Sequence, residues 1–250
     1  MKTFFLLLSA GALFGQPHPV TAPKAAPSTA NEIARATPSQ PVEPKPAKAE
    51  TLHYNVNWPS GLSLGEADFT AAPDESALSF GFQLDASIPG FSVSESAKSR
   101  ATPQYCSLEL NKKGTRGSRK VDERTEFDSG ALKATRTTTG GGKSEVSISP
   151  CAKDALTFIH FLRKELAAGR LPSQQKVYYG GAYTVRVAFG GAHRIVIGGE
   201  GVEADKLTAT IKGTGSEITA DFFFAKDAKR TPLLIQAPLA LGKFSMELAR

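Results

Sequence analysis

The chain has 250 residues, of which 40% are hydrophobic and 22% are charged, with a formal net charge of +6 at pH 7. Beyond an atypical N-terminal stretch, this length suits one domain or at most two small ones. The positive charge is moderate and spread along the chain, and no aromatic residues interleave with a basic stripe, which argues against nucleic acid as a partner. No apolar run after the N-terminus is long enough to cross a membrane.

The first 16 residues have the pattern of a secretory signal peptide. Lys2 supplies a positive charge, and an apolar stretch follows from Phe4 to Phe14. This stretch is about half of the roughly 20 residues that span a bilayer, so we expect cleavage near Gly15 or Gln16. An uncleaved membrane anchor is the alternative, because Leu13 is a poor cleavage-site residue. Either reading predicts an exported protein, periplasmic or secreted.

Residues 17–50 read as a disordered linker rich in proline and alanine. They hold half of the chain's 16 prolines and almost no large apolar side chains. Such a segment cannot bury enough surface to offset the entropy of ordering it, so we expect a semi-extended tether. Residues 51–250 then form a single β-rich domain.

Period-two alternation of apolar and polar residues predicts strands through most of this domain. Turn-rich clusters separate the runs, among them Lys113-Gly114-Thr115 and Gly190-Gly191. About a dozen short strands at this spacing indicate a mainly β fold, either a curved antiparallel sheet or an open β-barrel. The clearest alternating runs lie at residues 52–58, 78–84, 106–110, 183–189, 207–211, 218–224 and 244–248.

One covering helix is predicted over about residues 152–168, which contain no Gly or Pro. Gly169 and Pro172 follow it, as expected just beyond a helix end, and Asp154 in its first turn suits the macrodipole. Its broad apolar surface indicates that it covers the concave face of the sheet. A narrow polar stripe is predicted to face solvent, formed by Lys153, Thr157, His160 and Lys164.

Four short segments stand in a distinctive order: Tyr54–Ala67, Asp154–Arg163, Pro232–Ile235 and Gly242–Leu248. In this order and spacing, residues 52–248 resemble the exported bacterial domain of unknown function 3108 family. The resemblance implies an exported, mostly β domain and brings no established activity. It marks Asp154 and Arg163 as family positions of unknown role. Helix-end electrostatics and a tie to a neighbouring strand are their structural explanation.

The two cysteines, Cys106 and Cys151, are predicted to form a disulfide. In an oxidising compartment an even pair favours a bond, which here would link the helix to a strand. Two unpaired thiols are the alternative, since the sequence does not show how close the two residues lie. The chain has no CxxC motif and no histidines at ligand spacing, so neither a metal nor another cofactor is predicted.

No catalytic signature is present. The histidines His18, His53, His160 and His193 are scattered, and no nucleophile-elbow motif occurs, so surface positions are expected for them. A hydrolase would need carboxylates that converge in the fold, and the candidates are Glu66, Asp68 and Asp154.

The densest positive cluster is predicted in a glycine-containing loop between two strands. It would suit contact with anionic lipid headgroups, lipopolysaccharide or an acidic envelope polymer. The alternative is a solvated hairpin tip tempered by Asp122 and Glu123. The cluster consists of Lys112, Lys113, Arg116, Arg119 and Lys120.

Two classes of function remain. The favoured one is a non-catalytic binding or scaffolding protein of the cell envelope, with an amphiphile held between sheet and helix or an envelope polymer as its partner. The alternative is a hydrolase that acts on an envelope polymer through carboxylates. The sequence carries no signal for an oligomeric state.

Overall fold

A computed structural model gives the structure of residues 49–88, 90–239 and 242–249. The predicted signal peptide, His18 and residues 17–48 of the predicted linker lie outside the described residues. Strand β1 begins at Glu50, so the last residue assigned to the linker belongs to the folded domain.

The described chain contains fifteen strands and one helix. Alternation in the sequence sets the strand faces: in β1 the buried Tyr54 and Val56 flank the exposed Asn55. The elements are β1 (Glu50–Asn57), β2 (Ser63–Asp74), β3 (Ala77–Ile88), β4 (Phe91–Ala101), β5 (Ser107–Arg116), β6 (Arg119–Asp128), β7 (Lys133–Thr138), β8 (Lys143–Ser147), β9 (Lys153–Asp154), α1 (Ala155–Ala167), β10 (Gln175–Tyr178), β11 (Ala182–Ile197), β12 (Glu200–Gly213), β13 (Ser216–Ala225), β14 (Pro232–Leu239) and β15 (Gly242–Leu248).

All the strands belong to one sheet, in which chain neighbours are also sheet neighbours. β1 to β8 run outward on one side and β15 back to β9 on the other, joined where β1 pairs with β15. All pairs are antiparallel except β9 with β10. Among the described residues the end strands β8 and β9 do not pair with each other, so the sheet stays open.

The helix lies within the curve of the sheet. Leu156 packs in a core cluster with Phe80 and Leu110 from one side, whereas Phe158 and Leu162 pack with residues of β10 to β13 from the other. Because one helix contacts both halves, the sheet must bend around it. The prediction of a mainly β fold with one covering helix is thereby confirmed. No helix in the described ranges has the length and hydropathy to span a membrane.

The prediction that a polar stripe of the helix faces solvent is wrong. Thr157 is 0% exposed and Lys153 is 6% exposed, so neither side chain faces solvent although both are polar. Thr157 instead hydrogen-bonds to polar side chains on the sheet, and the ammonium of Lys153 lies 4.5 Å from the Phe161 ring centre. Of the four stripe residues only Lys164 is exposed.

Two glycine clusters predicted as turns lie inside strands. Gly114 is in β5, where a Cβ atom would come within 2.5 Å of the Ser94 carbonyl oxygen, so glycine permits the close approach of β4. Gly191 has φ +95° and sits at a bulge in β11, where the pairing with β12 shifts register. The turn between β5 and β6 is therefore Gly117-Ser118.

Candidate functional site

Asp154 anchors the start of α1. It is 0% exposed and is the N-cap of the helix, one residue before the first turn in which it was predicted. Its Oδ1 accepts from the backbone N–H groups of Leu156 and Thr157 at 2.9 and 3.1 Å. Its Oδ2 accepts from the hydroxyls of Ser99 and Ser107, each at 2.6 Å, and of Thr157 at 2.8 Å. Five donors therefore satisfy this buried carboxylate.

A disulfide fixes the same region covalently. Cys106 and Cys151 are bonded, with their Cα atoms 4.6 Å apart. The residues that follow them, Ser107 and Ala152, share a backbone hydrogen bond of 2.8 Å. The segment leading into α1 is therefore held to β5 by covalent and polar contacts together.

Arg163 anchors the other half of the helix. Its guanidinium donates to both carboxylate oxygens of Glu50, at 2.6 and 3.1 Å. Its Nε donates to the backbone oxygens of Lys229 and Arg230, at 3.1 and 3.2 Å. Burial alone would raise the pKa of Glu50, but the hydrogen bonds and charge of Arg163 outweigh it, so the pKa lies below its usual value. Arg163 thus ties α1 to β1 and to the β13–β14 connection.

A pocket of about 520 Å³ opens between α1 and the sheet, beside this ion pair. The volume lies within the range of small-molecule sites. We call it the helix–sheet pocket. Its walls are mainly apolar, with Ala71, Ala72, Pro73, Leu78, Phe80 and Ala167 among them.

His160 forms part of the wall and is uncharged at neutral pH. Its ring stacks on Phe80, with centres 4.2 Å apart and planes 9° from parallel. Burial, together with the nearby Arg163 guanidinium, lowers the pKa of His160 to about 3. The imidazole therefore adds to the apolar surface of the pocket at physiological pH.

The rim of the helix–sheet pocket is positively charged. Glu50, Arg163, Lys164 and Lys229 all line it, three cations to one carboxylate. The Lys229 ammonium lies 3.6 Å from Glu50. The Lys164 ammonium lies 5.0 Å from the centre of the Tyr105 ring and makes no salt bridge within the described residues.

The structure does not bring the three predicted hydrolase carboxylates together. Glu66 and Asp68 alternate with the buried Ala67 and Phe69 along β2, so they project from the outer face of the sheet. Asp68 there pairs with His53 at 2.5 Å. Asp154 lies buried on the inner side, which separates it from both.

The predicted basic loop is the end of the β5–β6 hairpin, and most of its charges are paired. Lys113 contacts Asp122 at 3.5 Å, and Arg116 contacts Glu95 at 2.6 Å. Lys112 is not available for surface contact: it alternates in phase with the buried Leu110 and its ammonium lies 3.2 Å from Glu123. Arg119 and Lys120 are exposed and form no salt bridge among the described residues.

The remaining histidines have local partners. His53 is exposed and bound to Asp68, and His193 is exposed with its Nε2 3.0 Å from the Gly190 oxygen. Within the described ranges no three His, Cys, Asp or Glu side chains are grouped to hold a metal ion.

Sequence reasoning missed Glu50, Ser99 and Ser107 as contributors to these contacts. Glu50 lies just before the first alternating run, and its closeness to that run could have indicated that it belongs to β1. The two serines lie on strands whose buried faces are partly polar, which a hydrophobic pattern does not reveal.

An open antiparallel sheet bent around one helix, with a cavity between them, defines a mainly β domain. The chain belongs to the family described as "Protein of unknown function (DUF3108)", whose family model matches residues 51–249.

The fold is shared with a solved structure of very different sequence. The β-barrel-like protein of the domain of unknown function DUF1849 from Brucella abortus is similar over 82% of this chain and 97% of its own, with 7% identity and a TM-score of 0.60. The lipoprotein LppX from Mycobacterium tuberculosis aligns over 80% of this chain and 84% of its own, with 16% identity and a TM-score of 0.26. No curated protein matches the chain.

Proposed function

We propose that this domain is a non-catalytic binding protein that holds an anionic amphiphile in the helix–sheet pocket. The observation that carries the proposal is an apolar cavity of about 520 Å³ with an excess of positive charge at its rim. An apolar chain placed against the pocket walls would release water from them, and the headgroup would remain at the charged rim.

The wall supports the apolar half of this proposal. Leu78 and Phe80 alternate inward from β3, and Ala167 comes from the last turn of α1. The neutral imidazole of His160 lies flat on Phe80 and so adds no charge to the cavity at pH 7.

The rim supports the anionic half. Both oxygens of Glu50 are occupied by Arg163, so this carboxylate is already neutralised. The Lys164 ammonium makes no salt bridge within the described residues, and Lys229, although 3.6 Å from Glu50, keeps the rim net positive toward a headgroup. Both side chains lie at the exposed side of the pocket. A charge-assisted contact of this kind orients a ligand whose remaining contacts are non-directional.

We also propose that the protein acts outside the cytoplasm, in the cell envelope. The support is the signal-like pattern of its first 16 residues, and the disulfide between Cys106 and Cys151 is compatible with an oxidising compartment. Lipids and lipid-linked polymers of the envelope supply amphiphiles with anionic headgroups.

The test is a titration of the full chain with oleate and with oleyl alcohol, which have the same chain length and double bond but end in a carboxylate and in a neutral hydroxyl, respectively. Ala167→Trp fills the pocket, whereas Ala168→Trp adds the same side chain one residue further on, outside the lining. Wild type and the Ala168→Trp variant should bind oleate, and the Ala167→Trp variant should bind it at least about tenfold more weakly. Equal affinity of the two variants for oleate would show that oleate does not bind in the helix–sheet pocket and would overturn the proposal.

The headgroup is tested by the double substitution Lys164→Glu and Lys229→Glu, with Lys176→Glu on the exposed side of β10 as the control. The double variant should lose about tenfold in affinity for oleate and little for oleyl alcohol. If both ligands are affected equally, the rim does not select a negative headgroup.

A further inference from the structure

A second cavity, of about 190 Å³, lies at the end of the β5–β6 hairpin, beside the connection from β10 to β11. We call it the hairpin cavity. It shares no lining residue with the helix–sheet pocket, so what it binds is independent of the amphiphile. Its charged lining consists of two carboxylates and five cations: Glu95, Glu123, Lys112, Lys113, Arg116, Arg119 and Arg136.

Both carboxylates of the hairpin cavity are buried and already paired. The side chain of Glu95 is 8% exposed and contacts Arg116 at 2.6 Å. The side chain of Glu123 is 3% exposed and contacts both Arg136 and Lys112. A ligand in the cavity therefore meets the cations and not the carboxylates.

Positive charge is left over after these ion pairs have formed. Glu123 has two cationic partners, so one of their charges is unmatched. Lys113 is matched by Asp122, which lies outside the lining, at 3.5 Å. Arg119 makes no ion pair among the residues that the structure describes and supplies the second unmatched charge. The cavity therefore has a surplus of two positive charges, which a dianion would balance.

Arg116 and Arg119 lie directly opposite each other across the β5–β6 ladder. Like charges at opposite positions of a sheet destabilise it, so an anion that contacts both guanidinium groups would relieve their repulsion. Each guanidinium also has five N–H donors. Within the described ranges Arg116 uses one of them, toward Glu95, Arg136 uses two, toward Glu123, and Arg119 uses none. All three arginines therefore have donors left for a ligand.

We propose that the hairpin cavity binds the dianionic phosphate group of a phosphomonoester between Arg116 and Arg119. Such a group has a charge of about −2 at pH 7 and so balances both unmatched charges. Its oxygens accept paired hydrogen bonds from guanidinium groups, for which the planar fork of arginine is suited. The hydroxyl of Tyr183, which lines the cavity and has no hydrogen bond within the described part of the chain, is a further donor. A carboxylate or a phosphodiester has a single negative charge and leaves one cation unmatched.

Calorimetric titration of the full chain with methyl phosphate and with dimethyl phosphate tests the requirement for two charges. The probes differ by one methyl group, which changes the charge at pH 7.5 from about −2 to about −1. Methyl phosphate should bind, and dimethyl phosphate should bind at least about tenfold more weakly. Equal affinity for the two probes, or no binding of methyl phosphate, overturns the proposal.

Matched variants locate the site. Arg119→Gln should weaken the binding of methyl phosphate by about fivefold or more, whereas Lys120→Gln, at the next position and outside the lining, should change it less than about twofold. Circular dichroism verifies that both variants fold. Equal losses in the two variants would indicate a diffuse basic surface and overturn the cavity as the site. Neither residue lines the helix–sheet pocket, so oleate binding stays a separate readout.

Vesicle sedimentation distinguishes a lipid headgroup from a free phosphomonoester as the source of the phosphate. Phosphatidylcholine vesicles with phosphatidic acid present a phosphomonoester at their surface. If they sediment the wild type and not the Arg119→Gln variant, the ligand is a lipid headgroup. If methyl phosphate binds but the vesicles sediment both proteins equally or neither, the ligand is a free phosphomonoester. Both results support the phosphate site.

Discussion

Arg163 on α1 and Glu50 at the start of β1 share two hydrogen bonds, of 2.6 and 3.1 Å, although they are 113 positions apart in the chain. Both side chains are largely buried, at 8% and 14% exposure. Glu50 is the first residue of β1, so this contact holds the beginning of that strand to the helix. The ion pair also positions Lys229 at the rim of the helix–sheet pocket.

Arg163→Met should lower the free energy of unfolding by about 3 kcal/mol, because it leaves a buried carboxylate without its partner. Urea denaturation measures the change. Arg170→Met is the matched control: Arg170 makes the same two hydrogen bonds to Glu165 at the surface, so its removal should change stability little. A similar small effect of both substitutions would contradict the structural role of the Arg163–Glu50 pair.

Asp154→Ala should be at least as damaging. It removes the N-cap and leaves the hydroxyls of Ser99, Ser107 and Thr157 without their shared acceptor, which should cost about 3 kcal/mol or more. Thermal and urea unfolding report the loss. Asp128→Ala removes an exposed carboxylate that accepts a single backbone hydrogen bond from Ala131, and should have a much smaller effect. Equal effects would mean that burial of the Asp154 network contributes nothing.

Loss of the disulfide should lower the free energy of unfolding by about 4 kcal/mol, as chain entropy predicts for a loop with a sequence separation of 45. The variant Cys106→Ser with Cys151→Ser should show this loss in urea denaturation. Thiol titration of the unfolded, unreduced wild type should detect no free thiol. Two titratable thiols would contradict the bond.

Stability should depend on His160 between pH 7 and pH 5. The unfolded chain binds a proton near the usual pKa of 6.5, whereas the folded protein does so only near 3, so acidification favours unfolding in this range. Over these two pH units the wild type should lose about 2 kcal/mol. The carboxylates with lowered pKa values, such as Glu50, add to the loss only near and below about 4.5.

His160→Phe keeps an aromatic ring against Phe80 and removes the titration, so its stability should change little between pH 7 and pH 5. His193→Phe replaces an exposed histidine, so the free energy of unfolding of this variant should fall with decreasing pH as steeply as that of the wild type. Urea midpoints at several pH values measure both. An unchanged slope in the His160→Phe variant would show that another group titrates in this range.

The strands with an apolar face and the helix could be predicted because each is built on a regular period. Tyr54 and Val56 alternate, and the residues of α1 repeat at helical spacing, so their faces follow from the sequence alone. The end of the helix was also marked by Gly169. The two-residue strand β9 was missed, because Lys153 and Asp154 lie within the range predicted as helix.

The polar contacts could not be predicted because a polar side chain is expected at the surface unless its buried partners are known. Thr157 is buried against Ser99 from a strand distant in sequence, and Glu123 is buried against Arg136 from the neighbouring strand β7. Glu123, Thr125 and Phe127 lie on one face of β6. The apolar Phe127 was the only local indication that this face is buried. Which partner satisfies a buried polar group depends on tertiary pairing, which a single strand does not encode.

The pairing of β1 with β15 determines when during folding the sheet can be completed. Tyr54 lies opposite Leu248, so the ladder that unites the two halves of the sheet forms only after the last strand has been made. A chain with such distant partners folds slowly, and before closure each half-sheet exposes an unpaired edge. The sheet can therefore be completed only after the whole stretch from β1 to β15 has been synthesised.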